Sequence, residues 1–251
     1  MTGNPRIVWH VMAVATLVAV AVRPVRAQGS GNGFLFQQPA GSLTIQGGYA
    51  WPRAGGDLFS FVTNDLTLGR SDFNGPTVGA DLALRVAPRF DVVLSTSFAS
   101  ATKVSEFRHF VDQNNAPINQ TTSFRRIPVM ASVRAYLTPR GRTIGRYAWI
   151  PARLAPYVGV GAGAVYYKFR QQGDFVDFTN NNVFPGDFTS SAWAPAGQGM
   201  AGVDLSLSPR FALTGEARYV IAHGNVSQSF TGFDSIDLSG LATTLGLSVR
   251  F

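Results

Sequence analysis

A histidine, serines and acids lie close together near the C-terminal end of the chain. His223 sits in Tyr219-Val220-Ile221-Ala222-His223-Gly224-Asn225-Val226-Ser227, with Asp234 and Asp237 following. A hydrolytic nucleophile needs an adjacent base, itself oriented by a third group. His223 could be the base, Ser227 or Ser229 the nucleophile, and Asp234 or Asp237 the acid. The connection from His223 to Ser227 crosses a Gly-Asn pair, so the segment reads first as a polar loop beginning at Gly224. His109, in Phe107-Arg108-His109-Phe110, has only Glu106 and Asp112 near it and makes a poor metal site. The sequence has no Cys. That removes disulfides, Cys-ligated zinc, a thiol nucleophile and lipid attachment through an N-terminal Cys. Gly159-Val160-Gly161 falls inside an apolar strand pattern, not before a helix, so it is no phosphate cradle. No enzyme activity, cofactor or metal is expected.

A second set of candidates is ionic, and its spacing is regular. Asp81, Arg85, Asp91, Arg134, Asp204, Glu216, Arg218 and Arg250 all occupy the polar positions of segments that alternate with period two. In a β-strand successive side chains point to opposite faces. Val78, Ala80, Leu82, Leu84 and Val86 therefore share one face, and Asp81 and Arg85 the other. The same holds for Phe90–Phe98, Ile127–Leu137, Ala201–Leu207, Phe211–Ile221, Leu43–Trp51 and Leu241–Phe251. The segment Ala155–Tyr167 is apolar on both faces, because Gly159, Gly161 and Gly163 alternate with Val158, Val160 and Ala162; its sides stay unassigned. Asp81-Leu82-Ala83-Leu84 before Pro88-Arg89-Phe90 is echoed by Asp204-Leu205-Ser206-Leu207 before Pro209-Arg210-Phe211, which suggests two hairpins of one geometry.

Residues 1–27 read as a cleaved signal peptide. Arg6 precedes the apolar run Ile7–Val22, and Val25-Arg26-Ala27 offers a cleavage site before Gln28. Losing Arg6, Arg23 and Arg26 lowers the formal charge from +7 to +4. With no basic stripe in the remainder, a nucleic-acid partner is not expected. Residues 28–41 read as a periplasmic leader and 42–251 as the folded domain.

About eight strands are joined by two kinds of connection. The turns at Pro88 and Pro209 are tight, and the stretch 139–155 is longer and carries Arg140, Arg142, Arg146 and Arg153, which are expected to face anionic headgroups. The connections 51–75, 100–124, 171–191 and 222–237 are long and polar, and rich in Phe. Short turns at one end and long loops at the other describe a transmembrane β-barrel. A soluble lipocalin-type barrel would alternate likewise with the faces exchanged. Its water-facing side would be far richer in Lys and Glu than the few ionic residues above. Aromatics also gather at strand ends: Phe90, Phe211 and Phe251 at the short-turn end, Tyr49, Trp51, Phe98 and Tyr219 at the long-loop end. Such girdles mark membrane interfaces. With transmembrane helices absent, a spanning chain must close its sheet.

With its signal peptide, its Pro-Arg-Phe turns, the strand Pro156–Gly163 and the terminal Leu247-Ser248-Val249-Arg250-Phe251, the chain resembles the small bacterial outer-membrane barrels of the OmpA/OmpX/opacity-protein-like group. The resemblance covers about residues 40–251. It implies an all-β fold: an eight-stranded, antiparallel, closed barrel, monomeric, exported to the outer membrane among membrane lipid and lipopolysaccharide. It also implies that Leu247, Val249 and Phe251 are read by the barrel-assembly machinery. No peptidoglycan-binding domain is expected after the last strand. The segment around His223 resembles, more distantly, the lipid A deacylases, also small barrels with a Ser/His/acid triad. Those place His and Ser two apart on one strand face, which this sequence does not.

The signs of the lumen candidates balance, so a packed ionic network in place of an apolar core is expected, since buried charge must be paired. The expected role is structural or interactive: membrane integrity, or contact with a surface or host ligand through the long loops. A narrow gated porin and a lipid A-modifying hydrolase are the alternatives. Phe59, Phe61, Phe73, Phe107, Phe110, Phe175, Phe178, Phe184 and Phe188 would either pack the loops together or form an adhesive patch. Asn180-Asn181-Asn182 reads as a loop tip.

Overall fold

The computed structural model describes residues 33–145, 147–177, 182–226, 230, 232–233 and 235–251. The signal segment, Arg146, Phe178, Asn180, Asn181, Ser227, Ser229 and Asp234 lie outside the described residues. The elements are β1 (Gly41–Pro52), α1 (Asp57–Asp65), β2 (Gly75–Ala87), β3 (Phe90–Val111), β4 (Pro117–Tyr136), β5 (Gly141–Ile144), β6 (Ala148–Pro151), β7 (Leu154–Asp177), β8 (Asn182–Ser206), β9 (Phe211–Gly224), β10 (Ile236–Asp237) and β11 (Gly240–Arg250).

Eight strands run antiparallel in the order β9-β11-β1-β2-β3-β4-β7-β8, and β8 pairs back onto β9. The sheet is thereby closed, and no backbone edge is left to meet an apolar solvent. The alternation then sorts side chains by parity. Ile45, Val78, Val160 and Leu245 are 60–70% exposed on the outside, while Asp81 and Arg134 are 2% exposed within. An uncharged outer belt on a closed antiparallel barrel is the surface of a transmembrane protein of the outer-membrane type.

The strand β7 resolves the ambiguous glycine face. Tyr157, Val165, Tyr167 and Phe169 are buried, so Gly159, Gly161 and Gly163, which share their parity, look into the lumen. Each lacks a Cβ where a neighbour passes. A Cβ at Gly161 would stand 2.1 Å from Ser132 Oγ and 2.5 Å from the Ala131 carbonyl, and one at Gly163 2.9 Å from Met130 Sδ.

Three expectations change above the membrane. The connections 100–124 and 171–191 are not loops: β3–β4 and β7–β8 continue as paired strands to Val111–Pro117 and Asp177–Asn182. The connection 51–75 contains α1, an amphipathic helix that buries Leu58, Phe59 and Val62. A short helix escapes a period-two reading because its apolar face recurs every three to four residues. At the opposite end, 139–155 folds into the small hairpin β5–β6, which bonds the leader through Leu35 N to Trp149 O at 2.9 Å and Trp149 N to Leu35 O at 2.7 Å.

Gly161→Ala should destabilise the barrel by about 1–3 kcal/mol through overpacking. Gly199→Ala, where a Cβ would meet nothing within 4 Å, should be close to neutral. Midpoints of heat-induced mobility shifts on unboiled gels measure both.

Candidate functional site

Inside the barrel the side chains form three levels. At the periplasmic mouth Asp91 accepts a hydrogen bond from Arg140 Nη1 at 2.8 Å, and Arg250 Nη2 donates to Ser206 Oγ at 2.9 Å. Arg140 thus turns into the lumen mouth, not towards headgroups as its sequence position suggests. The buried Asp91 draws it in, and its guanidinium lies 4.6 Å from the centre of the Tyr136 ring. Among the described residues no arginine pairs directly with Asp204. Its carboxylate accepts from Tyr136 OH at 3.0 Å and Thr214 Oγ1 at 2.8 Å. Arg85, Tyr136, Arg140, Trp149, Asp204 and Arg250 line a cavity of about 20 Å³ at this level.

The middle level joins strands that are not neighbours. Arg218 on β9 donates through Nη2 to Asp81 on β2 at 2.9 Å and to Glu216 at 2.5 Å. Arg134 on β4 reaches Glu216 at 3.3 Å and Asp81 at 3.6 Å. Tyr157 OH on β7 donates to Glu216 Oε2 at 2.9 Å, and its ring lies under the Arg134 guanidinium at 4.2 Å. Gln46 Nε2 on β1 donates to Asp81 Oδ1 at 3.2 Å. Two acids and two arginines, all nearly fully buried, neutralise one another across the cylinder. Unpaired, each would be prohibitively costly.

The upper level is mainly apolar, with Gln120, Thr122, Gln171 and Ser190 buried beside the rings. Phe59, Phe73, Phe107, Phe124, Tyr167, Phe169, Phe230, Ile236 and Leu238 form one buried cluster beneath α1. Phe59 stacks edge-on against Phe73, Phe124 and Phe169 at 4.8–5.6 Å. Arg126 lies at the ionic side of this cluster, in the row of Tyr167, with Nη1 donating to the Leu238 carbonyl at 2.8 Å. Of the loop phenylalanines, Phe59, Phe73 and Phe107 are buried, Phe61, Phe110 and Phe188 pack against the cluster, and Phe184 is exposed. These rings hold the extracellular segments together more than they offer a patch.

The sequence-derived ionic set therefore divides. Asp81, Arg134, Glu216 and Arg218 meet, Asp91, Asp204 and Arg250 find other partners at the mouth, and Arg85 lines the same cavity. Sequence reasoning missed Arg140, Tyr157 and Gln46 as partners; the glycine parity of β7 would have revealed Tyr157. All seven girdle residues, Tyr49, Trp51, Phe90, Phe98, Phe211, Tyr219 and Phe251, are exposed on the outside, and Tyr166 and Trp193 join the outer girdle with rings 5.4 Å apart. Leu247, Val249 and Phe251 also point outward, and the Phe251 carbonyl accepts from Ala40 N at 2.7 Å.

The hydrolase candidates are only partly described. His223 lies opposite Asp237 across β9–β10, with Nε2 3.9 Å from Oδ1, beyond hydrogen-bond reach. Asp237 Oδ1 is instead held by the Ser239 N–H at 2.9 Å. His109 is exposed on β3.

No protein-family model and no curated protein matches the chain. Among solved structures it is similar to the outer membrane protein OprG from Pseudomonas aeruginosa, with 13% identity over 86% of this chain and 99% of that one, at a TM-score of 0.48. It is also similar to Neisserial surface protein A, with 14% identity over 84% and 99% and a TM-score of 0.45. A third likeness is to the E. coli outer membrane protein W, with 18% identity over 86% and 100% and a TM-score of 0.38.

Glu216→Ala leaves Arg134 and Arg218 to share Asp81 and should cost about 3–5 kcal/mol. Tyr157→Phe removes one hydrogen bond to a charged acceptor and should cost about 1–3 kcal/mol. Urea titrations of micelle-refolded protein, followed by tryptophan fluorescence, would order the two.

Proposed function

We propose that this chain is a closed barrel of the bacterial outer membrane that serves a structural and surface-contact role, with no conducting lumen and no catalytic centre. Residues 1–27 direct export and are removed, 28–41 remain as a periplasmic leader, and 42–251 form the barrel. Leu247, Val249 and Phe251 present the outward apolar edge that the assembly machinery reads.

The observation that carries the reading is the filling of the lumen at successive levels. Cross-barrel ion pairs occupy the middle, and an aromatic cluster beneath α1 occupies the outer end. An open porin needs a continuous aqueous path, whereas eight strands enclose an interior that side chains can fill. The parts that rise furthest are the hairpins β3–β4 and β7–β8, where Val104, Val111 and Phe184 are exposed. They are the surfaces that would meet a host ligand or a neighbouring cell.

Purified protein in planar bilayers should give no unitary current steps. Regular steps from the wild type would replace this reading with that of a narrow porin. Membrane-extracted protein should have the intact mass of a chain beginning at Gln28; an uncleaved mass would refute the assigned export signal.

A further inference from the structure

The outer wall of β3, β4 and β7 changes character within one residue pair. On β7 the outward positions from Leu154 to Tyr166 are Leu, Pro, Val, Val, Ala, Ala and Tyr; the next three are Lys168, Arg170 and Gln172. At about 3.3 Å per residue, the strand from Leu154 to Tyr166 is roughly 40 Å long, and a tilt of about 40° leaves roughly 30 Å along the membrane normal, close to the height of an apolar belt. Lys168 therefore stands at the outer headgroup level. Arg125 is its direct partner on β4, and Ser123 is the partner of Arg170.

Thr102, Thr121, Ser123, Arg125, Lys168 and Arg170 line an outward-facing cleft of about 230 Å³. Its charge is unbalanced. Asp187 holds Arg170 in a two-pronged pair, Nε to Oδ1 at 2.8 Å and Nη2 to Oδ2 at 2.5 Å. That contact raises the Arg170 pKa and lowers that of Asp187, so the pair stays ionised at neutral pH. Among the described residues no carboxylate lies within ion-pair distance of Arg125 or Lys168; Lys168 feels Asp187 only at longer range, and Arg125 lies over the Phe98 ring at 5.4 Å. Below the cleft, Tyr166 and Trp193 offer apolar rings at acyl-chain depth. Two cations without a direct carboxylate partner, flanked by hydroxyls, above aromatics and beside lipid, match a phosphate group attached to an acyl chain.

We propose that this cleft binds the phosphate of an outer-leaflet phosphoglycolipid, with Arg125 and Lys168 as the charged contacts and its acyl chains along Tyr166 and Trp193. The proposal rests on the outer-membrane reading above. The test is native mass spectrometry of barrels in phosphatidylcholine nanodiscs titrated with bis-phosphorylated lipid A or with its dephosphorylated form. The wild type should prefer the phosphorylated lipid. Arg125→Gln/Lys168→Gln should weaken binding by about a hundredfold, since each charge-assisted bond contributes about tenfold. Asp187→Asn frees Arg170 and should tighten it. Millimolar inorganic phosphate should compete poorly, because it lacks the acyl anchor.

Equal affinity for the two lipids, indifference to the double substitution, or full displacement by inorganic phosphate would each overturn the proposal. The heat-dependent gel shift of every variant is read in parallel. A folded barrel blind to lipid phosphate refutes this site alone, whereas a chain that forms no barrel in bilayers refutes the outer-membrane reading as well.

Discussion

One constraint governs the structure: inside a membrane, a strand has no watery side except the one it encloses. Period-two alternation puts every second side chain against lipid, where a charge is costly. The ionic residues must then take the inner parity, and eight strands enclose too little space for each to keep its own water. Pairing follows from width. Asp81, Arg134 and the β9 pair Glu216 and Arg218 come from strands that share no hydrogen-bond ladder, and the diameter brings them within 2.9–3.6 Å of one another. The glycines of β7 belong to the same geometry, since the inward side chains of Met130, Ser132 and Met200 on the paired strands β4 and β8 leave no room for a Cβ beside them.

The two kinds of lumen filling do different mechanical work. The backbone ladders bind each strand only to its neighbours. The Arg218–Asp81 and Arg134–Glu216 contacts tie β9 to β2 and β4, and so brace the cylinder across its section. Such contacts are directional, and they specify register because a shift by one residue would turn both charges into lipid. The aromatic cluster under α1 is non-directional. It fixes segments such as 53–74 that carry few strand bonds, and fastens them to β4 and β7 through Phe124 and Phe169.

Much of this was legible in the sequence because the physics is local. Leu82 next to Asp81, or Leu213 two before Gly215 and three before Glu216, declares a face without reference to anything distant. Partner choice was not legible. Arg140 lies beyond the end of β4 and reads as an interfacial cation; only the three-dimensional proximity of Asp91 turns it inward. Tyr157 was hidden because an apolar strand with glycines on one side gives no polarity contrast. The lengths of β3–β4 and β7–β8 were misread as loops because their residues are polar, and above a membrane a polar sequence is compatible with strand as well as loop. The residues of α1 were hidden in the same way, since nine residues scarcely establish a helical period.

The level at which the chain leaves the membrane can be located from both faces independently, and the two agree. Outside, the change from apolar to charged falls between Ile127 and Arg125 on β4 and between Tyr166 and Lys168 on β7. Inside, Arg126 is the last ionic side chain on β4 before Phe124, and on β7 Tyr167 and Phe169 carry the apolar cluster across the same level. Arg125 is registered with Lys168, and Arg126 with Tyr167, so the inversions occupy adjacent rows of one sheet. Below those rows the protein is inside-out, with greasy walls and a charged interior. Above them it obeys the rule of a water-soluble domain, with Phe59, Phe73 and Phe169 enclosed and Lys168 and Arg170 outside. The same strands pass through both regimes without a break, and the row where the rule reverses is the row where the external medium changes from lipid to water.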